Sequence, residues 1–321
     1  MIKLLKPQAR ATRKQLLSTL PRKEAALPIL ILLLLLLTAM CLPAKAQSRR
    51  RAVARTSGSQ APQMQMGFKA GITLGHAEVS EFYAVRTEPT RLISTRDQKT
   101  YDGSFAHQNT QVGLEMQFMV NSNLALSLQP GFYTYGYGYQ SSFAWTLADD
   151  ASLGTTLDLT HAHRLRYLEF PLLARYFIGY GPIRPYVQGG AWIGWLQGAQ
   201  KDLATTLEDN TAGGTEPLRV QTEETLGIDA LYLKRQTGWI AGAGVSFDLG
   251  DVPDNSSSSL GIVRFLLSVN YRRGFGDITD PDERFVDRRL LSGAYDVQDD
   301  LSLSNIEISL SCLFTFKYDY L

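Results

Sequence analysis

The chain has 321 residues, a formal net charge of +1 at pH 7 and two cysteines. Its positive charge is concentrated at the start: taking the eight Lys/Arg and one Glu of residues 1–46 from totals of 32 and 31 leaves 24 basic and 30 acidic residues, net −6. That balance excludes the basic surface that nucleic acid requires. A single cysteine beyond residue 46, Cys312, excludes an intramolecular disulfide even in an oxidising compartment.

Residues 1–46 read as a secretory signal peptide. Basic residues from Lys3 to Lys23 precede an apolar run from Ala25 to Leu42, and Ala44-Lys45-Ala46 supplies a small-residue cleavage site. The competing reading is an uncleaved membrane anchor, because the run is almost long enough to span a bilayer. Met40 before Cys41 is too large for lipoprotein processing. Residues 47–65 are polar, basic and patternless, and are expected to form a flexible leader. The domain proper is expected over residues 66–321.

From Met66 the pattern becomes alternation with period two, the mark of strands with two unlike faces. The first segment sets Met66, Phe68, Ala70, Ile72 and Leu74 against Gly67, Lys69, Gly71, Thr73 and Gly75. Similar segments start at Val112, Leu124, Tyr167, Tyr186, Gly238 and Val263. The last sets Ile306, Ile308, Leu310, Cys312, Phe314, Phe316 and Tyr318 against Glu307, Ser309, Ser311, Thr315 and Lys317. This gives eight candidate strands. Residues 78–104, 140–161, 198–236 and 275–300 read as long polar loops. Residues 121–123, 179–182 and 250–260 read as short turns, with a low-complexity Ser256–Ser259 stretch in the last. Long loops at one end and short turns at the other predict an all-β, eight-stranded antiparallel up-and-down transmembrane β-barrel with both termini at the short-turn, periplasmic end.

Alternation alone does not say which face is inside, since a soluble lipocalin-like barrel also alternates. The polar face discriminates. It is crowded with glycine (Gly67, Gly71, Gly113, Gly190, Gly238, Gly242, Gly244), as suits a narrow lumen where large and small side chains interleave. The apolar face is bulky and carries Tyr176, Trp195, Trp239, Tyr271 and Tyr318 near strand ends, as at a lipid–water interface. The lumen is therefore expected to hold Lys69, Arg175, Arg264, Arg272 and Lys317 with Glu115, Glu169, Asp248 and Glu307, a nearly neutral set of the kind a buried network requires. Pro171 and Pro130-Gly131 are expected to mark bulges or bends. Tyr133, Tyr135, Tyr137 and Tyr139 share one face, which is either lumenal or part of a girdle.

The stretch "RYLEFPLLARYFIGYGPIRPYVQGGAWIGW" resembles the centre of the PorT-like outer-membrane β-barrel family: a Tyr-Leu-Glu-aliphatic-Pro-Leu-Leu strand, a short turn, then a Pro-Tyr-Val strand with paired glycines. "WIAGAGVSFDLG" and "LLSVNYRRGFGDI" are similar to the family's later strands, so the resemblance runs from Gly67 to the C-terminus. It implies a barrel in the outer membrane of a Gram-negative bacterium. One member is tied to protein secretion across that membrane, most have no assigned activity, and no catalytic residues belong to the motif.

Chemistry-bearing clusters are sparse. His161 and His163 share a strand face, but no third ligand completes a metal set. Asp277, Asp280, Asp282 and Glu283 offer oxygens without EF-hand spacing. No G-x-S-x-G is present, and no residues point to a cofactor. Arg164, Arg166 and Arg273 have outward parity at strand ends and suit lipopolysaccharide phosphates, which arginine grips bidentately. The expected protein is a monomeric, non-enzymatic outer-membrane barrel with a filled lumen. Its expected partners are outer-membrane lipid, lipopolysaccharide, and secretion or envelope proteins. The alternatives are a lipid-modifying enzyme and a periplasmic ligand-binding barrel.

Overall fold

The computed structural model describes residues 63–83, 99–146, 154–211, 218–249, 260–286 and 296–316. The signal peptide and almost all of the leader, Ser256–Ser259, Lys317 and Tyr318 lie outside these residues.

Eleven strands follow in chain order: β1 (Gln63–Glu81), β2 (Lys99–Tyr101), β3 (His107–Met119), β4 (Leu124–Leu128), β5 (Gly131–Thr146), β6 (Gly154–Phe177), β7 (Ile183–Asp209), β8 (Leu218–Gly227), β9 (Arg235–Leu249), β10 (Leu260–Gly274) and β11 (Asp300–Phe316). All pairings are antiparallel, and neighbours in sequence are mostly neighbours in space. The pairings form a closed ring: β1 joins β3, β3 joins β4 and β5, both join β6, and β7, β9, β10 and β11 follow in turn before β11 returns to β1. Because β4 and β5 share one position, the ring passes through eight strand positions among the described residues. Closure removes the free edges that an open sheet would expose. The short β2 and the β7–β8 hairpin are additions at the long-loop end.

The alternating faces separate cleanly. Phe68 is 68% exposed, Leu172 57% and Leu310 52%, while Thr73, Glu169 and Leu313 are fully buried. The apolar face of the ring looks outward, and the glycine-rich polar face looks in. The tyrosines of β5 are all buried, so their ladder lies inside.

Several expectations are corrected. β1 starts at Gln63, inside the expected leader. Residues 140–161 and 198–236 are largely strand: β6 runs for 24 residues and β7 for 27. About 9–11 residues cross a bilayer, so both strands continue well past any such layer. Out there the outward face turns polar, while Leu157, Leu159 and Leu203 pack inward with Phe143, so the pattern of a lipid-facing strand ends. Pro171 causes no register shift against β7. That shift falls at Arg166/Tyr167, where Gln197 is the extra residue of a bulge in β7. The carbonyl of Pro171 accepts from the Gln129 N–H at 2.9 Å. The N–H that proline lacks would point the same way, toward the break between β4 and β5 at Gln129-Pro130. At the short-turn end, Gly179 and Gly181 take positive φ and reverse the chain between β6 and β7.

Candidate functional site

Inward-facing charges meet in the lower half of the ring, nearer the short turns. Lys69 Nζ lies 2.6 Å from Glu307, which also binds Arg272 at 3.0 Å. Arg272 reaches across to Glu169, and Tyr135 donates to that carboxylate at 2.8 Å. Arg175 pairs with Glu115 at 2.8 Å, and Ser127 and Ser311 donate to the same glutamate. Gln188 and Asn270 connect Arg175 to Glu307. Nearest the turns, Arg264 forks onto Asp248 at 2.5 and 3.0 Å, joined by Arg184 at 3.3 Å. These residues come from β1, β3, β6, β7, β9, β10 and β11, so the network ties together nearly every position of the ring.

Aromatic rings fill the space between the charges. Arg272 stacks over Tyr133 at 4.3 Å, and Arg175 over Tyr186 at 4.7 Å. Arg175 and Arg272 are among the largest fully buried side chains. A guanidinium isolated in such a place would carry a large desolvation cost, and paired carboxylates with ring faces offset it. Of the residues expected in this set, eight are described and interlinked, while Lys317 lies outside the described residues. Arg184 was not foreseen, because Pro185 and Tyr186 blur the alternation at the start of β7.

A second polar cluster, little signalled by residue pattern, sits higher, toward the long-loop end. The segment 296–299, just before β11, turns inward over the ring. Asp296 binds Lys201 from β7 and Lys99 from β2, the latter at 3.1 Å, and receives the Tyr139 hydroxyl at 2.7 Å. Asp299 accepts from Lys99 at 3.1 Å and Tyr101 at 2.6 Å. Gln298 donates to Tyr137 at 2.8 Å, and Tyr137 shares a hydrogen bond with Tyr232 at 2.6 Å. Burial pushes the carboxyl of Asp296 up, but Lys201 and Lys99 outweigh it and hold the group well below the usual carboxylate range. For Asp299 burial wins over Lys99, and its carboxyl is raised. Lys201 faces inward only because the Gln197 bulge inverts the parity of β7, which hides it from a period-two reading.

His161 and His163 both lie in this cluster, buried and stacked on Tyr139 and Tyr137 at 4.4 and 4.5 Å. His161 Nε2 is 3.0 Å from Ser141 Oγ, and His163 Nδ1 is 2.7 Å from Tyr232 Oη. No group of three metal-ligating side chains occurs among the described residues. Asp277 accepts from Ser80 at 3.0 Å, and Asp280 caps the Asp282 amide at 3.1 Å. Arg164 and Arg166 face outward from β6 and are exposed. Arg273, also exposed, is bound to Glu78 at 2.6 Å.

No curated protein matches the chain. Among solved structures, the N-terminal β-barrel domain of Pseudomonas aeruginosa OprF is similar over 81% of this chain and 100% of that one, at 13% identity and a TM-score of 0.28. Ail, the attachment invasion locus protein of Yersinia pestis, covers 78% and 97% at 9% identity and a TM-score of 0.26. Neisserial surface protein A covers 79% and 97% at 10% identity and 0.26. Residues 45–280, most of the chain and ten of the eleven strands among the described residues, match the outer membrane protein beta-barrel domain. The chain belongs to the outer membrane protein β-barrel domain family, and its place is the outer membrane.

Proposed function

We propose that the protein is an eight-stranded, up-and-down transmembrane barrel whose lumen is closed by its own side chains. Its role is structural or binding and non-enzymatic, exerted through the long-loop end outside the cell or through a periplasmic partner. Residues 1–46 would be removed on export, and 47–62 would lead into β1 from the periplasm. The observation that carries this reading is the filled interior: Arg175, Arg272, Tyr133 and Tyr186 occupy the space a channel would need. An eight-strand ring is wide enough only for side chains or one small ligand.

The experiment is planar-bilayer recording with purified protein. The expected result is a quiet membrane without stable, large conductance steps. A steady open level of porin size contradicts the filled lumen.

The resemblance to the PorT-like family adds a finer reading, an accessory role in protein secretion. A deletion strain should then lose particular proteins from its culture medium while its other outer-membrane proteins persist. An unchanged secreted set rejects that role and leaves the barrel reading standing.

One observation favours a second reading, lipid hydrolysis. Ser141 Oγ and His161 Nε2 stand at hydrogen-bond distance, as a nucleophile and base must. The carboxylate beyond, Asp296, is 4.0 Å from His161 Nδ1 and engaged by two lysines. Labelled phospholipid or lipid A incubated with the protein should therefore remain intact. Turnover that disappears in Ser141→Ala favours the hydrolase instead.

A further inference from the structure

The wall of the ring has a seam. β3 pairs with β5 only at Gln111–Gly113, and Gln108–Thr110 has no β5 partner. The reason lies on β1. β5 leans across its inner face, with Thr73 Oγ1 donating to the Thr134 carbonyl at 2.6 Å. The Gly136 carbonyl sits where a Cβ on Gly75 would stand, so only glycine permits that approach. With β5 drawn inward, the outer surface keeps a cleft of about 420 Å³, lined by Gln108, Thr110, Thr134, Arg164, Arg166 and Gln200.

The height of this cleft is set by the sequence around it. On β6 the outward residues Leu168, Phe170, Leu172, Ala174 and Tyr176 are apolar, and the next two outward residues are Arg166 and Arg164. On β3 the outward run ends at Val112 and Thr110 follows; on β5 it ends at Phe132 and Thr134 follows. The cleft thus opens where the apolar band stops on three adjacent strands. Val112 and Phe132, 58% and 59% exposed, lie directly below it. Facing lipid, a basic group is costly at the midplane and cheap at this level. Among the described residues neither Arg164 nor Arg166 has a carboxylate partner, whereas Arg273 on the same rim is paired with Glu78. Asp229, which borders Gly198 beside Arg166, already receives the Ala199 N–H.

We propose that Arg164 and Arg166 hold the phosphate of an outer-leaflet lipid, with Gln108, Thr110 and Gln200 as neutral donors and the acyl chains lying along Val112, Phe132 and Leu168. The pairing is a charge-assisted one, in which each guanidinium presents two N–H groups to the phosphate oxygens. This inference rests on the transmembrane reading above.

The test uses the full-length protein in detergent, titrated separately with bisphosphorylated lipid A, phosphatidylglycerol and inorganic phosphate, and read by native mass spectrometry. Arg164→Gln/Arg166→Gln should bind lipid about tenfold or more weakly than wild type. Arg164→Lys/Arg166→Lys, which keeps the charge without the fork, should retain part of the affinity. Arg273→Gln, a rim arginine outside the cleft, should stay close to wild type. Loss for lipid A alone assigns the site to lipopolysaccharide, and equal loss for both lipids assigns it to any anionic lipid phosphate. Unchanged affinity in the Gln variant, an equal loss in Arg273→Gln, or inorganic phosphate binding as tightly as lipid overturns the proposal. Heat-dependent gel migration on the same samples reports the barrel separately. If the folded and heated forms do not separate, the transmembrane reading has failed; if they do, a negative titration counts against the cleft alone.

Discussion

Glu169 is fully buried and touches Arg272 and Tyr135, whereas Glu78 makes a similar ion pair with Arg273 at the exposed rim. The two pairs should behave differently. Glu169→Ala leaves Arg272 with one carboxylate in place of two inside a desolvated lumen, and should cost about 3–5 kcal/mol in urea unfolding from liposomes. Glu78→Ala should cost less than about 1 kcal/mol, because water already screens that pair. A small effect at Glu169 would mean that water fills the lumen. Asp296 carries part of the pH dependence of the upper cluster, and His161 and His163, whose imidazoles burial and Lys201 hold below their ordinary value, carry the rest. The folded carboxyl of Asp296 lies well below the unfolded value of about 3.9, so its contribution to stability is full above roughly pH 4 and fades as pH falls through the lower folded value. The histidines act earlier: below about pH 6.5 the unfolded chain takes up protons that the folded imidazoles refuse. Protection of the long-loop end from protease should therefore weaken already between about pH 6.5 and 5 and fail in stronger acid, where Asp296 is protonated too. In Asp296→Asn, where Lys201 and Lys99 lose their shared carboxylate, protection should be weakened at every pH. The lower network was legible in the sequence, because Glu169, Arg175, Arg272 and Glu307 each break into an otherwise apolar alternation. The upper one was not. Lys99, Lys201 and Asp296 come from stretches without alternation, and only ring closure brings them together.

The same contrast holds for the strands. β1, β3 and β11 are legible because a lipid-facing side and a packed side impose opposite chemistry on successive residues. Past the apolar band that constraint disappears, and β5, β6 and β7 continue as strands through residues that read as loop. β8 marks the limit: nine of its ten residues are exposed, and only Leu226 is buried. The outer part of the β7–β8 hairpin should therefore be dispensable. Excising the hairpin tip beyond the facing pair Thr205 and Thr222 should leave heat-dependent migration unchanged, since Lys201, every β7–β9 pair and all but the last four β6–β7 pairs lie below the cut. Loss of the folded form would show that the extension holds the ring closed. Pro130 and Pro171 illustrate a partial reading. Both were visible as irregularities, but the break falls in the strand opposite Pro171, because the missing N–H leaves the neighbour without a donor rather than shifting its own register.

At the scale of the whole molecule, one inversion organises the apolar band: large apolar side chains look out, and chiefly glycines, tyrosines and ion pairs look in. Trp239 packs on Tyr271 at 5.5 Å and Phe170 on Trp195 at 5.7 Å along the outward surface, near the level where the band ends. Aromatic residues favour that level because one edge of the ring tolerates water and the face prefers acyl chains. The inward face gains its stability from pairing, and each charge there was placed by a strand whose other side is apolar. Spin labels attached in turn to cysteines at positions 68, 172 and 310, and then at 73, 188 and 270, in a background lacking Cys41 and Cys312 and reconstituted in liposomes, test this directly. The account predicts that labels at the first three are relaxed strongly by oxygen and weakly by a water-soluble nickel complex, while those at the second three are shielded from oxygen. Oxygen contact at 73, 188 and 270, with nickel contact at 68, 172 and 310, would contradict it.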